Sequence, residues 1–201
     1  ANDILFVIDN SGRIDSAEYA QLEPLVVLTI NKLQGKCPAA KVGVVHFGGS
    51  FGNNTIIEHD FKDISVVTNV DRQFCTSRDM FDMCIGGGGD DLNGAMGNVL
   101  TYFQDSTLSL TDGHELTIVI MSHAFGESPP CGGPNCSVIR PYTNIDLIKA
   151  QFNAKVIVVG FEPDADADEL VPYASVGGDY IGPMNSDCLT SFDGCNLPRL
   201  Y

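Results

Sequence analysis

Asp9 and Ser11, separated by one residue, come directly after the apolar run Ile4-Leu-Phe-Val-Ile8, and this placement is where the sequence points to chemistry. A carboxylate and a hydroxyl delivered to the carboxyl end of a buried strand lie where open α/β sheets put their binding sites. Arg13 adds a permanent cation two residues further on. Two more groups belong to the same set: Asp90-Asp91, which follow the glycine run 86–89, and His123, which follows the apolar stretch Leu116 to Met121. A hydrolytic triad can be drawn from Ser11, His123 and Asp90, since the loops that carry them share one sheet edge. No G-x-S-x-G elbow accompanies it, and nothing marks an oxyanion hole or a substrate pocket, so the residues do not read as an enzyme.

Three other constellations yield to plainer readings. Asp164-Ala-Asp-Ala-Asp168 has the first three ligand positions of a calcium loop, but Glu169 stands where the sixth position needs Gly and Ser175 where the twelfth needs Glu. It reads as a solvated helix start. His123 with Cys131 and Cys136 could supply three zinc ligands, yet Cys-x4-Cys across Gly-Gly-Pro-Asn makes a natural disulfide loop. The glycines at 86–89 lack the lysine and the G-x-x-x-x-G-K-[ST] spacing of a phosphate cradle.

The elements that position these groups follow from hydrophobic pattern. Ile4 to Ile8 is apolar without alternation, as in a central parallel strand covered on both faces, and Asp9-Asn10-Ser11-Gly12 is the turn after it. Asp15 and Glu18 have capping-box spacing, and Leu22, Val26, Thr29, Ile30 and Leu33 continue with helical periodicity to Gly35. Pro24 inside this helix predicts a kink or loosened first turns. Lys41–Phe47 and Thr55–Glu58 read as strands joined in an antiparallel hairpin, and 64–70 as a short helix. Leu92, Met96, Val99, Leu100 and Phe103 make one apolar helix face. Glu115–Met121 and Ala154–Gly160 are further buried strands. Residues 145–152 are helical, 164–174 a short helix opened by acids, and Tyr180-Ile181 a last short strand. Strands alternating with helices predict right-handed crossovers. The expected fold is therefore α/β, Rossmann-like and doubly wound, with a mostly parallel central sheet, one antiparallel edge strand and helices on both faces.

The 201 residues suit one α/β domain, here read as 1–201 with a core at about 3–192 and a cysteine-containing loop insertion at about 125–138. The first residue is Ala1, with no Met and no apolar leader, which reads as a mature or excised piece. No apolar run approaches the roughly 18 residues a membrane helix needs, so direct membrane insertion is not expected. A net charge of -15 argues against nucleic acid and anionic membrane surfaces, both of which require clustered Lys and Arg. Six of the seven cysteines fall into close pairs in loop-like settings, Cys75/Cys84, Cys131/Cys136 and Cys188/Cys195. Local disulfides in an oxidising compartment account for them most simply, although six cysteines allow 15 pairings. Cys37 is then a buried free thiol, or a bridge to another chain or to a further part of this one.

The first strand with Asp9-x-Ser11, the glycine loop leading into Asn93-Gly94-Ala95, and Val156 to Gly160 followed by Asp166-Ala-Asp-Glu-Leu170 and Asp179-Tyr-Ile181 together resemble von Willebrand factor type A domains. The resemblance runs from about Asp3 to about Phe192. It implies a metal-ion-dependent adhesion site built from D-x-S-x-S, a Thr from a second loop and an Asp after the fourth strand, where a small hard cation takes oxygen ligands and leaves one position for a partner's carboxylate. Asp9 and Ser11 match that pattern. Arg13 replaces the second Ser, Gly89 falls at the Thr with Asp90 and Asp91 behind it, and His123 takes the place of the second Asp. At about 4 Å, like charges repel by roughly 1 to 4 kcal/mol in effective dielectrics of 80 to 20, so Arg13 disfavours a metal beside it.

The favoured reading is a degenerate site without a cofactor, in which Arg13 pairs with Asp9 or with Asp90/Asp91. The alternative is a rebuilt cation site for Mg²⁺, Mn²⁺ or Ca²⁺ on Asp9, Ser11, Asp90 and Asp91. The resemblance further implies an extracellular adhesion or interaction module, secreted or at the cell surface. It would bind a protein ligand, or other subunits of a surface or matrix assembly, at a rim that includes Asn10, Arg13, Gly89, Asn93 and His123. A structural, self-assembling building block of a surface or fibrous protein is the alternative function.

Overall fold

A computed structural model describes residues 2–10, 16–48, 54–71, 92–122, 142–161, 170–175 and 180–184. Its elements are β1 (Asn2–Asp9), α1 (Ser16–Lys36), β2 (Lys41–Gly48), β3 (Asn54–Asp63), α2 (Leu92–Gln104), β4 (Glu115–Ser122), α3 (Thr143–Phe152), β5 (Lys155–Phe161) and β6 (Tyr180–Met184). The six strands form one sheet in the order β3-β2-β1-β4-β5-β6. Every neighbouring pair is parallel except β2 with β3. This is the doubly wound α/β fold that the alternating pattern predicts.

Strand alternation explains why the sheet needs cover on both sides. Ile4, Phe6 and Ile8 of β1 pack with Val42 and Val44 of β2, Val119 and Met121 of β4, and Leu22, Leu25, Val26, Ile30 and Leu33 of α1. Leu5 and Val7 join Val45, Phe47, Ile118, Ile120, Val156 and Val158 on the opposite face, under Met96, Val99, Leu100 and Phe103 of α2 and Ile145 and Ile148 of α3. Central strands covered on both faces are expected to be apolar along their length. Seven of the eight residues of β1 and of β2 are fully buried.

The differences from the sequence expectation lie mainly at the sheet edges. β3 runs ten residues rather than four, because an edge strand facing water on one flank carries Glu58, His59, Asp60 and Lys62 where hydrophobic alternation would have marked a strand. Its register with β2 shifts twice, between Val42 and Val44 and between Val44 and Val45. Bulges and charges are the devices that keep an open edge from pairing with another chain. Residues 64–70 are not a helix but a single 3-10 turn at Ile64–Val66. Ile64, Val67 and Val70 are buried against the α1 face, and their spacing of three imitated helical periodicity. α1 runs unbroken through Pro24. β6 extends to Met184, and its Pro183 is tolerated because β6 is the other edge. Of the expected helix at 164–174, the described part is Leu170 and a 3-10 turn at Val171–Tyr173. No helix among the described residues is long and apolar enough to cross a membrane.

Candidate functional site

The crossovers from β1 run outward to β2 on one side, while the strands after β4 run outward on the other, so the winding reverses between β1 and β4. Open sheets bind ligands at the carboxyl ends flanking such a point, where the loops diverge and leave a crevice. The last residues of these two strands are Asp9 and Ser122, and both are fully buried. The register Ile8↔Met121 brings the two ends level. Ser122 Oγ donates to Asp9 Oδ2 at 3.0 Å, closing the floor of the crevice with a carboxylate and a hydroxyl.

Asn10 continues from Asp9, and its backbone N–H donates to Phe47 O at 2.8 Å, which extends the β1–β2 ladder by one step. Its side chain is fully buried, with Nδ2 lying 3.1 Å from Nδ1 of His46. An amide nitrogen offers only hydrogens, so Nδ1 accepts and the neutral ring carries its proton on Nε2. Nε2 lies 2.6 Å from Glu58 Oε2. Glu58 can reach because of the bulge: Val45 pairs with Ile57 and Val44 with His59, leaving Glu58 as the extra residue. Bulges re-aim side chains in this way. The other oxygen, Oε1, accepts from the backbone N–H of Asp71 at 2.9 Å and lies 3.4 Å from His59 Nε2. Burial pushes the Glu58 carboxyl up, but the hydrogen bond from His46 and the bond from the Asp71 N–H outweigh it and hold the group below its ordinary range.

Comparison with known proteins bears on what this end of the sheet is for. The model of the von Willebrand factor type A domain matches residues 3–181. The chain belongs to that family. Among solved structures, proximal thread matrix protein 1 from the mussel byssus superposes with a TM-score of 0.68 at 15% identity, covering 95% of this chain and 45% of the other. The same protein with a zinc-occupied MIDAS motif superposes equally well, at 14% identity with 95% and 46% covered. The pilus adhesin SpaC of Lactobacillus rhamnosus GG follows at TM-score 0.65 and 12% identity, covering 95% of this chain and 29% of that one. At such identities the likeness is one of fold. This chain spans less than half the length of each of these proteins. No curated protein sequence matches it significantly.

Within this type A domain, the structure brings two of the sequence-predicted site residues, Asp9 and Asn10, to the carboxyl end of the sheet. Asn93 is the second residue of α2, where its carbonyl accepts from Asn144 Nδ2 of α3 at 2.8 Å while its own Oδ1 is buried with no hydrogen-bond partner among the described residues. Ser11, Arg13, Gly89, Asp90, Asp91 and His123 lie outside the described residues, as do Cys75, Cys84, Cys131, Cys136, Cys188 and Cys195. Cys37 is a half-buried free thiol packed against the α1-side core. The oxygens described at the crevice are the Asp9 carboxylate and the Ser122 hydroxyl, already bonded to each other. The remaining candidate oxygen ligands, Ser11, Asp90 and Asp91, are not among the described residues, and within the described residues no group of three or more His, Cys, Asp or Glu suited to a metal occurs.

Ser122, His46 and Glu58 are the residues that sequence reasoning missed. Ser122 and His46 carried a signal: each is a polar side chain ending or interrupting an apolar strand, and such a group must find a partner when buried. Glu58 carried none, since its reach depends on a bulge.

Proposed function

We propose that this type A domain is an extracellular interaction module that engages a protein ligand, or another subunit of a surface or matrix assembly, at the crevice between the ends of β1 and β4. The observation that carries this reading is the Ser122–Asp9 hydrogen bond across the winding reversal: it puts buried polar groups at the position where a doubly wound sheet receives ligands. Family membership supports interaction rather than catalysis, and a thread matrix protein and a pilus adhesin share the fold.

Metal dependence at this site is weakened or lost in our reading. Arg13, Gly89 and His123 stand where the family pattern has Ser, Thr and Asp, and Arg13 paired with Asp9 or with Asp90/Asp91 would supply the positive charge that a cation would otherwise bring. The mussel protein with its zinc-occupied motif supports the opposite expectation for a site that keeps its ligands. We further propose that residues 1–201 form one domain whose paired cysteines staple its loops in an oxidising compartment.

The test is binding of the purified domain to an array of immobilised matrix and surface proteins, with and without EDTA, alongside its sedimentation under the same conditions. Saturable binding that survives EDTA and is lost in Asp9→Ala supports the reading. Self-association that Asp9→Ala leaves intact, with no binding to the array, overturns it in favour of a structural building block. Binding abolished by EDTA overturns the metal-independent part alone.

A further inference from the structure

We infer that His46 and Glu58 are positioning residues for Asn10: the pair holds its amide in one orientation at the carboxyl end of β1. The inference rests on the reading of Asn10 as part of the binding rim.

Three buried polar groups in series are costly unless each is satisfied, and here each satisfies the next. Asn10 and His46 are fully buried and Glu58 keeps 7% of its side-chain surface. Neither His46 nor Glu58 serves any sheet ladder through its side chain. Core packing alone would be met by an apolar residue at position 46, on the face that Val42 and Val44 share. Instead β3 spends a bulge to bring a carboxylate to Nε2. A carboxylate on Nε2 fixes the tautomer, leaving Nδ1 bare to accept from Asn10. The same orienting logic operates where a carboxylate sets a histidine that in turn sets a third group. The third group here is the residue between Asp9 and Ser11. Glu58 also accepts from the Asp71 N–H, so a single carboxylate joins the His46–Asn10 pair at the end of β1 to the stretch that follows β3.

The experiment uses the domain alone, with no ligand. In the wild-type protein, long-range ¹⁵N–¹H spectra of His46 should show a bare Nδ1 and a protonated Nε2; a protonated Nδ1 overturns the inference whatever any variant does. His46→Gln keeps a group at the Nε2 position for Glu58 but removes the acceptor for Asn10. His46→Asn does the reverse, placing Oδ1 where Nδ1 was. The expected result is that exchange of the Asn10 side-chain amide hydrogens accelerates on the order of fivefold in His46→Gln, the equilibrium factor of one ordinary hydrogen bond, and is restored in His46→Asn. A purely structural role would make exchange follow each variant's thermal stability instead, and that outcome overturns the inference. Because no ligand enters, it fails separately from the proposed binding function.

Discussion

Ser122 Oγ and Asp9 Oδ2 lie 3.0 Å apart and join the ends of β1 and β4 where the winding of the sheet reverses. Both residues are fully buried, so the carboxylate depends on protein donors rather than on water. Ser122→Ala removes a donor to a buried carboxyl group and should destabilise the domain by about 1–3 kcal/mol. Urea unfolding read by circular dichroism checks this. An unchanged midpoint would mean that Asp9 is held by its other contacts and that Ser122 is incidental.

Glu58 makes the stability of the domain acid-sensitive. Its carboxyl titrates below its ordinary value of 4.5 in the folded protein. Through that range the unfolded chain binds a proton that the native chain does not, so acidification favours unfolding. The stabilisation is complete above about pH 4.5 and is lost as pH falls through the lower native value. Glu58→Gln should be less stable than wild type at pH 7 by about 1.5–3 kcal/mol, the worth of a hydrogen bond to a charged group, and the gap should narrow toward pH 3. Chemical unfolding at intervals from pH 7 to pH 3 measures both curves. Parallel curves would show that Glu58 is not the group responsible.

The contrast between Asp9 and Glu58 explains how much of this molecule the sequence reveals. Asp9 ends an apolar run, and covered strands announce themselves by such runs, so the central strands and the doubly wound class are legible from pattern alone. Glu58 sits among Ile56, Ile57, His59 and Asp60, where no period favours one face. Its role depends on one extra residue of register between two strands, a tertiary fact that spacing along the chain does not encode. The Ile64, Val67, Val70 series shows the converse: a helix-like period produced by a chain that presses every third side chain onto α1. Ser122 and His46 lay between these cases, visible as polar residues in apolar strands but without partners until the sheet was assembled.

Asp3 marks the opposite end of the sheet and should separate folding from binding. It is fully buried at the start of β1, where Oδ2 accepts from the Thr111 N–H at 2.6 Å and Oδ1 lies 2.8 Å from His114 Nδ1. These bonds tie the approach to β4 back onto β1. Asp3→Ala strands a backbone donor and should destabilise the domain by about 1–3 kcal/mol. Saturable binding at the rim should persist once the variant is folded, since the two ends of β1 lie seven residues of strand apart. Calorimetry paired with the immobilised-protein assay checks this, and loss of binding at full folding would move the site away from the carboxyl ends.

Gly35 and Gly97 are both in helices and should respond differently to alanine. A Cβ on Gly35 meets nothing within 4 Å. The substitution then expresses helix propensity alone, a gain of up to about 1 kcal/mol that the position near the end of α1 reduces. A Cβ on Gly97 would come within 2.9 Å of Asn144 Nδ2. That nitrogen is the donor to Asn93 O, so relieving the clash breaks the bond that ties α3 to the first turn of α2. The propensity gain of about 1 kcal/mol and the lost hydrogen bond of about 0.5–1.5 kcal/mol nearly cancel in the global stability. The local effect does not cancel: amide exchange at the start of α2 should quicken in Gly97→Ala and stay unchanged in Gly35→Ala, which should melt at a higher temperature than wild type. Equal stabilisation by both substitutions, with exchange at Asn93 and Gly94 unaltered, would show that Asn144 moves aside without cost and does not hold the start of α2.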